Sequence, residues 1–443
     1  MSFLCLLSPC GRLGRPRECA VPAGKSIVVT GLGAYTPVGT SVPAMWDAFL
    51  AGRSGTRALT DEWASDLPVR VAARAAGDPG GAFPPARARR LDRAAQFALL
   101  AADEAWKDAD LPAPSDGMER LGAVVDPEYL GVVIGTAVGG VTSLLDGHTA
   151  LMERGARGVS PHMPTTMIPN SPAAHIGITY GAQASVHTTV SACASSTEAL
   201  ILAADMIRLG RADLVIAGGA EAPIHPVALA GFAAMRALSQ RNDDPAHASR
   251  PYDKNRDGFV LGEGAGMLIL EDEAHARARG ARSYCRFAGT GISVDAHHIA
   301  QPQPEGLGAS VALTRALRDA QLAPVDIGHI NAHATATPLG DLAEARALHR
   351  TLAGAIDHIP VSATKSMTGH LQGAVGAVEA VATVLAVHHR TAPVTINIDD
   401  PDDQIQLDIV RHVPRPLGPG PLAALSNSFG FGGQNATVVF TSI

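Results

Sequence analysis

Lysine is scarce in this 443-residue chain. Of its 35 basic residues other than histidine only four, Lys25, Lys107, Lys254 and Lys365, are lysines. No basic block interrupts the sequence and the net charge is −7, which excludes a nucleic-acid partner as the default expectation. Cysteine is equally sparse. Five in a chain this long, with no CxxC pair, make neither a disulfide framework nor a structural zinc site. That usage fits a reducing, cytoplasmic setting. No apolar run is long enough to span a bilayer, so no membrane association is expected. The opening stretch MSFLCLLSPCGRLGRPREC has its arginines after the apolar run rather than before it, a poor signal peptide. Residues 1–25 are expected to be a disordered extension. Nucleotide signatures are missing too. GLGAYTPVG near the start lacks the GxGxxG spacing and a following acidic residue, and the glycine-rich NSFGFGGQN near the end lacks a P-loop Lys and Ser/Thr.

What is present points to an α/β protein. The length exceeds one simple core. Helical spacing over 94–109 alternates with apolar strands at 130–134, 214–217 and 266–270, and SIVVTGLGAYTPVG reads as strand, glycine turn and loop. That alternation predicts a mostly parallel sheet covered by helices. A weak internal repeat accompanies it: the strand, small-residue turn and long helix of 186–210 recur at 359–389, and the strand and polar loop of 129–140 recur at 329–340. Two similar halves, 26–284 and 285–443, follow. Their strand-end loops, where ligands gather in such sheets, carry the chain's reactive side chains.

Cys193 lies in SACASSTEAL, where a β-branched strand turns into an apolar helix. A helix N-terminus favours a thiolate and offers backbone amides to an oxyanion. From position alone a buried core cysteine is as good a reading. Cys5, Cys10, Cys19 and Cys285 lack this context. His333 follows a strand in NAHATATP, and His370, in SATKSMTGH, precedes a helix whose positive end should keep its ring neutral. Either alone reads as structural. Lys365, among small and apolar residues, reads as buried and in need of an anion, for which Glu379 is the candidate. Gly430, Gly432 and Gly433 around Phe431 suggest a hinged aromatic gate.

Taken together, SACASS, NAHATATPLGD, SATKSMTGH and NSFGFGGQN, in that order, with the block 236–271 between them, resemble the β-ketoacyl-acyl-carrier-protein synthases of the thiolase superfamily, closest to the elongating type II branch. The resemblance covers about residue 26 to 443. It implies two βαβ halves in five layers, α-β-α-β-α, usually as a homodimer, and a decarboxylative Claisen condensation needing no metal or free cofactor. The substrates ride on the phosphopantetheine arm of acyl carrier protein. Cys193 would take the acyl chain; His333 and His370, both neutral, would donate to the malonyl thioester oxygen; Lys365 would order them electrostatically. The amides of Cys193 and Phe431 match the family's other oxyanion hole, and Phe431 its gate. Thr335 and Thr337 match the threonines that hold pantetheine, and Val138, Phe232 and Met163 positions along the acyl tunnel. Ala334, Ala300 and Gln301 depart from the family pattern, as does the segment 160–174, so chain length is left open. The alternative within the same chemistry is the catalytic subunit of a type II polyketide or polyene system, paired with a chain-length-factor subunit. A non-catalytic pairing subunit is disfavoured by Cys193, His333 and His370 occurring together, and a thiolase by the absence of cysteine from 429–435.

Overall fold

A computed structural model describes residues 25–114 and 122–443. The extension expected over 1–25 lies, but for Lys25, outside the described residues. Ten strands form one sheet. In chain order they are β1 (Ile27–Tyr35), β2 (Leu130–Gly135), β3 (Ser185–Thr189), β4 (Leu214–Glu221), β5 (Gly264–Asp272), β6 (Cys285–Val294), β7 (Ile327–Asn331), β8 (Val361–Ser362), β9 (Ala423–Gly430) and β10 (Gln434–Thr441). Across the sheet the order is β8-β7-β9-β10-β6-β1-β5-β4-β2-β3. One half therefore repeats the other about the β6–β1 seam. β2 lies parallel to β3 and β4, and β5 runs antiparallel to β4 and β1. Likewise β7 lies parallel to β8 and β9, and β10 antiparallel to β9 and β6. The seam itself is short, pairing Val28 and Val29 with Arg286 and Cys285.

The sheet is thus mixed rather than mostly parallel. β9 and β10 are joined only by Phe431–Gly433, too few residues for the crossover that a parallel pair requires.

Eight helices matter to the site and its layers: α1 (Arg93–Asp108), α2 (Val141–Arg154), α3 (Ser171–Tyr180), α4 (Ser195–Arg208), α5 (Pro226–Ala234), α6 (Leu307–Asp319), α7 (Pro338–Leu352) and α8 (Val375–His389). α4 and α8 share a core with strands of both halves and form the middle layer. α1 and α3 cover the outer face of the first half, α6 and α7 that of the second, giving α-β-α-β-α. The sequence explains the middle position of α8: VGAVEAVATVLAV is apolar on every side, and all of Val375–Val387 is buried. Among the described residues no helix is long and apolar enough to cross a membrane.

The glycines of SIVVTGLGAY do not make the expected turn; they lie inside β1. A Cβ at Gly31 would strike the carbonyl oxygen of Ala105, and one at Gly33 that of Ala101. The glycines let α1 settle against the strand, a demand set by a helix some 70 residues away and invisible to local pattern. Gly33→Ala should destabilise the fold by roughly 1–3 kcal/mol through overpacking and lower the thermal midpoint. Gly231→Ala, where an added Cβ meets nothing within 4 Å, should not. Equal midpoints for the two variants would refute this packing account.

Candidate active site

After β3, Ala192–Ala194 form a single 3₁₀ turn and α4 begins at Ser195. Ser195 builds the turn: its Oγ accepts from the Ser191 amide at 2.9 Å and donates to the Ala192 carbonyl at 2.6 Å. Ala192 takes a left-handed φ of +51°, costly without glycine but held by this bonding. Cys193 is buried at 6% exposure. The gate loop presses on the same turn, since a Cβ at Gly430 would lie 2.7 Å from the Ser191 carbonyl and 3.0 Å from the Cys193 amide.

The second half brings the histidines. His333 sits just past β7. His370 follows the short helix Lys365–Thr368 and Gly369, whose φ is +66°, and the His370 amide donates to the Val260 carbonyl at 2.8 Å. The sulfur of Cys193 and one nitrogen from each ring all lie within 4.8 Å of one another. The rings stand edge to face, centroids 5.6 Å apart, with Phe429 against His333 and Phe259 against His370. Both imidazoles are held well below the usual histidine range, first by burial and then by the Lys365 charge. Burial and Lys365 thus produce the neutral ring that the sequence assigned to a helix end. The same ammonium opposes any cation among these three residues.

The thiol departs from expectation. Burial pushes Cys193 up to about 11, although the Phe431 amide and the Lys365 charge pull it down. Sequence position promised a lowered value. Removing the sulfur from water outweighs what the amides return. Lys365 Nζ meets Glu379 Oε1 at 2.5 Å with both side chains 1% exposed, and burial raises Glu379 to about 7 against the pull of Lys365.

A cavity of about 430 Å³ connects this centre to solvent, lined by Cys193, His333, His370, Thr335, Thr337 and Phe431 among others. Thr335 and Thr337 bond each other at 3.0 Å, and Thr337 also caps α7. Phe431 is 37% exposed at the mouth. Gly430 lines the wall, whereas the Gly432 amide donates to the Ile299 carbonyl at 2.7 Å. Lys365 and Glu379 lie behind the histidines rather than on the wall.

Three expected tunnel residues are not brought to this cavity. Val138 is exposed on a loop whose amide is held by Glu221 at 3.3 Å. Met163 rests on Gly147 of α2. Phe232 of α5 meets Phe259 edge to face, centroids 5.4 Å apart, and so stands one ring away from His370. A buried carboxylate behind His333 escaped the sequence reading. Glu344, fully buried in α7, accepts from the amides of His333 (2.9 Å) and Ala334 (2.7 Å) and from Asn427 Nδ2 (3.2 Å). Its available signal was a carboxylate set between Ala343 and Ala345, which cannot be buried without donors.

The chain is similar to known proteins over most of its length. Residues 24–276 match the family model "Beta-ketoacyl synthase, N-terminal domain", and 284–399 match "Beta-ketoacyl synthase, C-terminal domain". The chain belongs to the β-ketoacyl synthase family. It is 44% identical, over 94% of its length and 98% of the relative's, to 3-oxoacyl-[acyl-carrier-protein] synthase 2 of Synechocystis sp.. Against the protein of the same name in Vibrio cholerae it is 40% identical over 94% and 99%. A solved type II polyketide ketosynthase, in complex with its acyl-carrier protein and bound to a hexaketide, is 31% identical with a TM-score of 0.86, covering 95% of this chain and all of that one. The ishigamide ketosynthase/chain length factor is 28% identical with a TM-score of 0.85 at the same coverage. The thiolase-like layering expected from the sequence is therefore the fold of this β-ketoacyl synthase.

A thiol raised to about 11 predicts a pH profile. Iodoacetamide labelling of the Cys193 peptide, followed by mass spectrometry, should climb about tenfold per pH unit through pH 9 without levelling. Lys365→Met, which removes a charge that favours the thiolate, should slow labelling at pH 9. A plateau below pH 8 would contradict the burial argument.

Proposed function

We propose that this β-ketoacyl synthase catalyses decarboxylative condensation of malonyl-carrier protein with an acyl chain held on Cys193, lengthening the chain by two carbons. The observation that carries the reading is the meeting of one sulfur and two neutral imidazoles within 4.8 Å. In the first half-reaction the Cys193 sulfur attacks the acyl thioester of a carrier's phosphopantetheine arm. The thiol proton passes to the departing pantetheine sulfur, while the amides of Cys193 and Phe431 hold the charge of the tetrahedral oxygen. Malonyl-carrier protein then enters, its arm held by Thr335 and Thr337. Loss of CO₂ leaves an electron pair that becomes an enolate, whose oxygen receives N–H donors from His333 and His370. Its carbon attacks the acyl carbonyl, and the Cys193 sulfur leaves and regains a proton. A neutral ring suits this role because it keeps one N–H to donate to the enolate oxygen. Lys365, paired with Glu379, biases both rings electrostatically, and Phe431 gates the mouth with Gly430 and Gly432 as hinges.

The reading needs no free cofactor or metal, only acyl carrier protein, and places the reaction in the cytoplasm. The division into halves 26–284 and 285–443 is part of it. So is a homodimer formed along β3. That edge strand is open, and Ile178, Val186 and Val190 beside it are 80%, 40% and 58% exposed, a liability that pairing with a second copy removes. Its counterpart β8 is already covered, the Val361 amide donating to the Asp408 carbonyl at 2.9 Å. Val138 and Met163 would join an acyl tunnel completed at that dimer face, with Phe232 beside it. The similarity to a solved type II polyketide ketosynthase and to the ishigamide ketosynthase/chain length factor favours a second reading, a ketosynthase subunit paired with a chain-length factor.

Cys193→Ala should lose elongation by at least roughly a thousand-fold yet still release CO₂ from malonyl-carrier protein; elongation by that variant in single-turnover assays would reject the assignment. His333→Ala or His370→Ala should each slow decarboxylation about 10²–10³-fold while Cys193 still accepts an acyl group. Loss of acylation in both would make the histidines bases for the thiol instead.

A further inference from the structure

Among the described residues, three on the cavity wall carry a buried polar side-chain atom with no partner: Nδ1 of His333, Nδ1 of His370 and Nε2 of Gln372. The histidines have a task in the condensation. Gln372 has none. It is 6% exposed and opens the turn Gln372–Ala374, which packs directly against the turn of Cys193. Its backbone φ is +48°, a conformation unfavourable for any residue with a side chain.

Neighbouring groups impose that conformation. Gly373 has no room for a Cβ, which would collide with the Ala137 amide, and its own amide donates to Glu221 Oε2 at 3.0 Å. Glu221, fully buried, also accepts from the amides of Ala137 at 2.5 Å and Val138 at 3.3 Å and from Thr136 Oγ1 at 2.8 Å. One carboxylate thus ties the loop after β2 to the turn before α8 that carries Gln372. An unpaired amide and a left-handed backbone fall on one residue beside the nucleophile. A ligand oxygen would relieve the first.

We infer that Gln372 is a specificity-determining residue whose amide takes an oxygen close to the thioester of the chain on Cys193, so that β-oxo- and β-hydroxyacyl chains are favoured over saturated ones. The proximity of the two turns limits the reach of the amide to the first carbons of the chain. A methylene there leaves the amide unpaired, whereas a β-oxygen pairs it, and sites built to bond a substrate oxygen discriminate against analogues without one. The inference rests on the condensing reading but on neither pathway. In chemical terms, the enzyme would consume products of an earlier condensation whose β-oxygen has not been removed.

The test uses the full-length protein and three primers of one length on the same carrier protein: octanoyl, β-hydroxyoctanoyl and β-oxooctanoyl. Elongation by the wild type should favour an oxygenated primer over octanoyl by roughly fivefold or more in kcat/KM. In Gln372→Leu that ratio should fall to about one. A wild-type ratio of one or less, or a ratio unchanged in Gln372→Leu, overturns the inference while leaving condensation intact. Should the leucine variant fail to fold, the wild-type ratio and Gln372→Met decide in the same way. Elongation of no primer would overturn the condensing reading and this inference with it.

Discussion

The inner helices α4 and α8 approach so closely that Gly376 tolerates no side chain at all: a Cβ there would enter the Thr197 hydroxyl. The end of β2 presses on the start of α4 in the same way, since a Cβ on Gly135 would lie 2.4 Å from the Ser196 amide. Polar bonds hold the same junction: the Ala377 amide of α8 donates to Ser196 Oγ of α4 at 2.9 Å, and Thr197 of α4 shares a hydroxyl contact of 2.6 Å with Ser428 of β9. Cys193, His370 and Gln372 are arranged at the N-terminal ends of this pair, and His333 joins them from the end of β7. Cys193 lies in the turn that feeds α4. His370 and Gln372 lie in the segment that feeds α8. Were the helices a side chain's width further apart, the sulfur and the imidazoles would belong to different clefts.

This buried junction explains the electrostatics. Dehydration raises Cys193 and lowers His333 and His370 together, so the resting centre is uncharged where the chemistry occurs. Charge is kept one layer back, in Lys365 with Glu379 and in the carboxylates Glu344 and Glu221, which bond backbone amides of the loops that carry the site. Donors fixed in advance around a neutral centre favour negative charge only as it develops, the arrangement that makes an oxyanion or enolate cheap to form.

The sequence made some of this legible and hid the rest for physical reasons. Cys193 was readable because strand, small-residue turn and apolar helix are adjacent in the chain. Lys365 and Glu379 were readable because a lysine among small residues must find an anion nearby. The doubling of the fold was visible in two weak repeats. Gly31 and Gly33 misled because their reason, the backbone of α1, is remote in sequence. Glu344 and Glu221 were missed for a similar reason, since their partners come from other loops and local pattern does not report which carboxylate accepts which amide; Gln372 was missed because its burial beside the Cys193 turn is a tertiary contact. The thiol was misjudged because a helix end is evident in sequence, whereas the depth of burial that outweighs it is not. The expected positions of Val138, Met163 and Phe232 came from resemblance alone, and in a single chain they stand off the cavity.

The pH dependence of malonyl-carrier-protein decarboxylation, measured without an acyl primer between pH 6 and 7.5, tests the neutral pair of donors most directly. Rings already neutral across that range predict a flat rate. A fall of about tenfold toward pH 6, as two rings titrating near the ordinary histidine value would produce, would contradict the account.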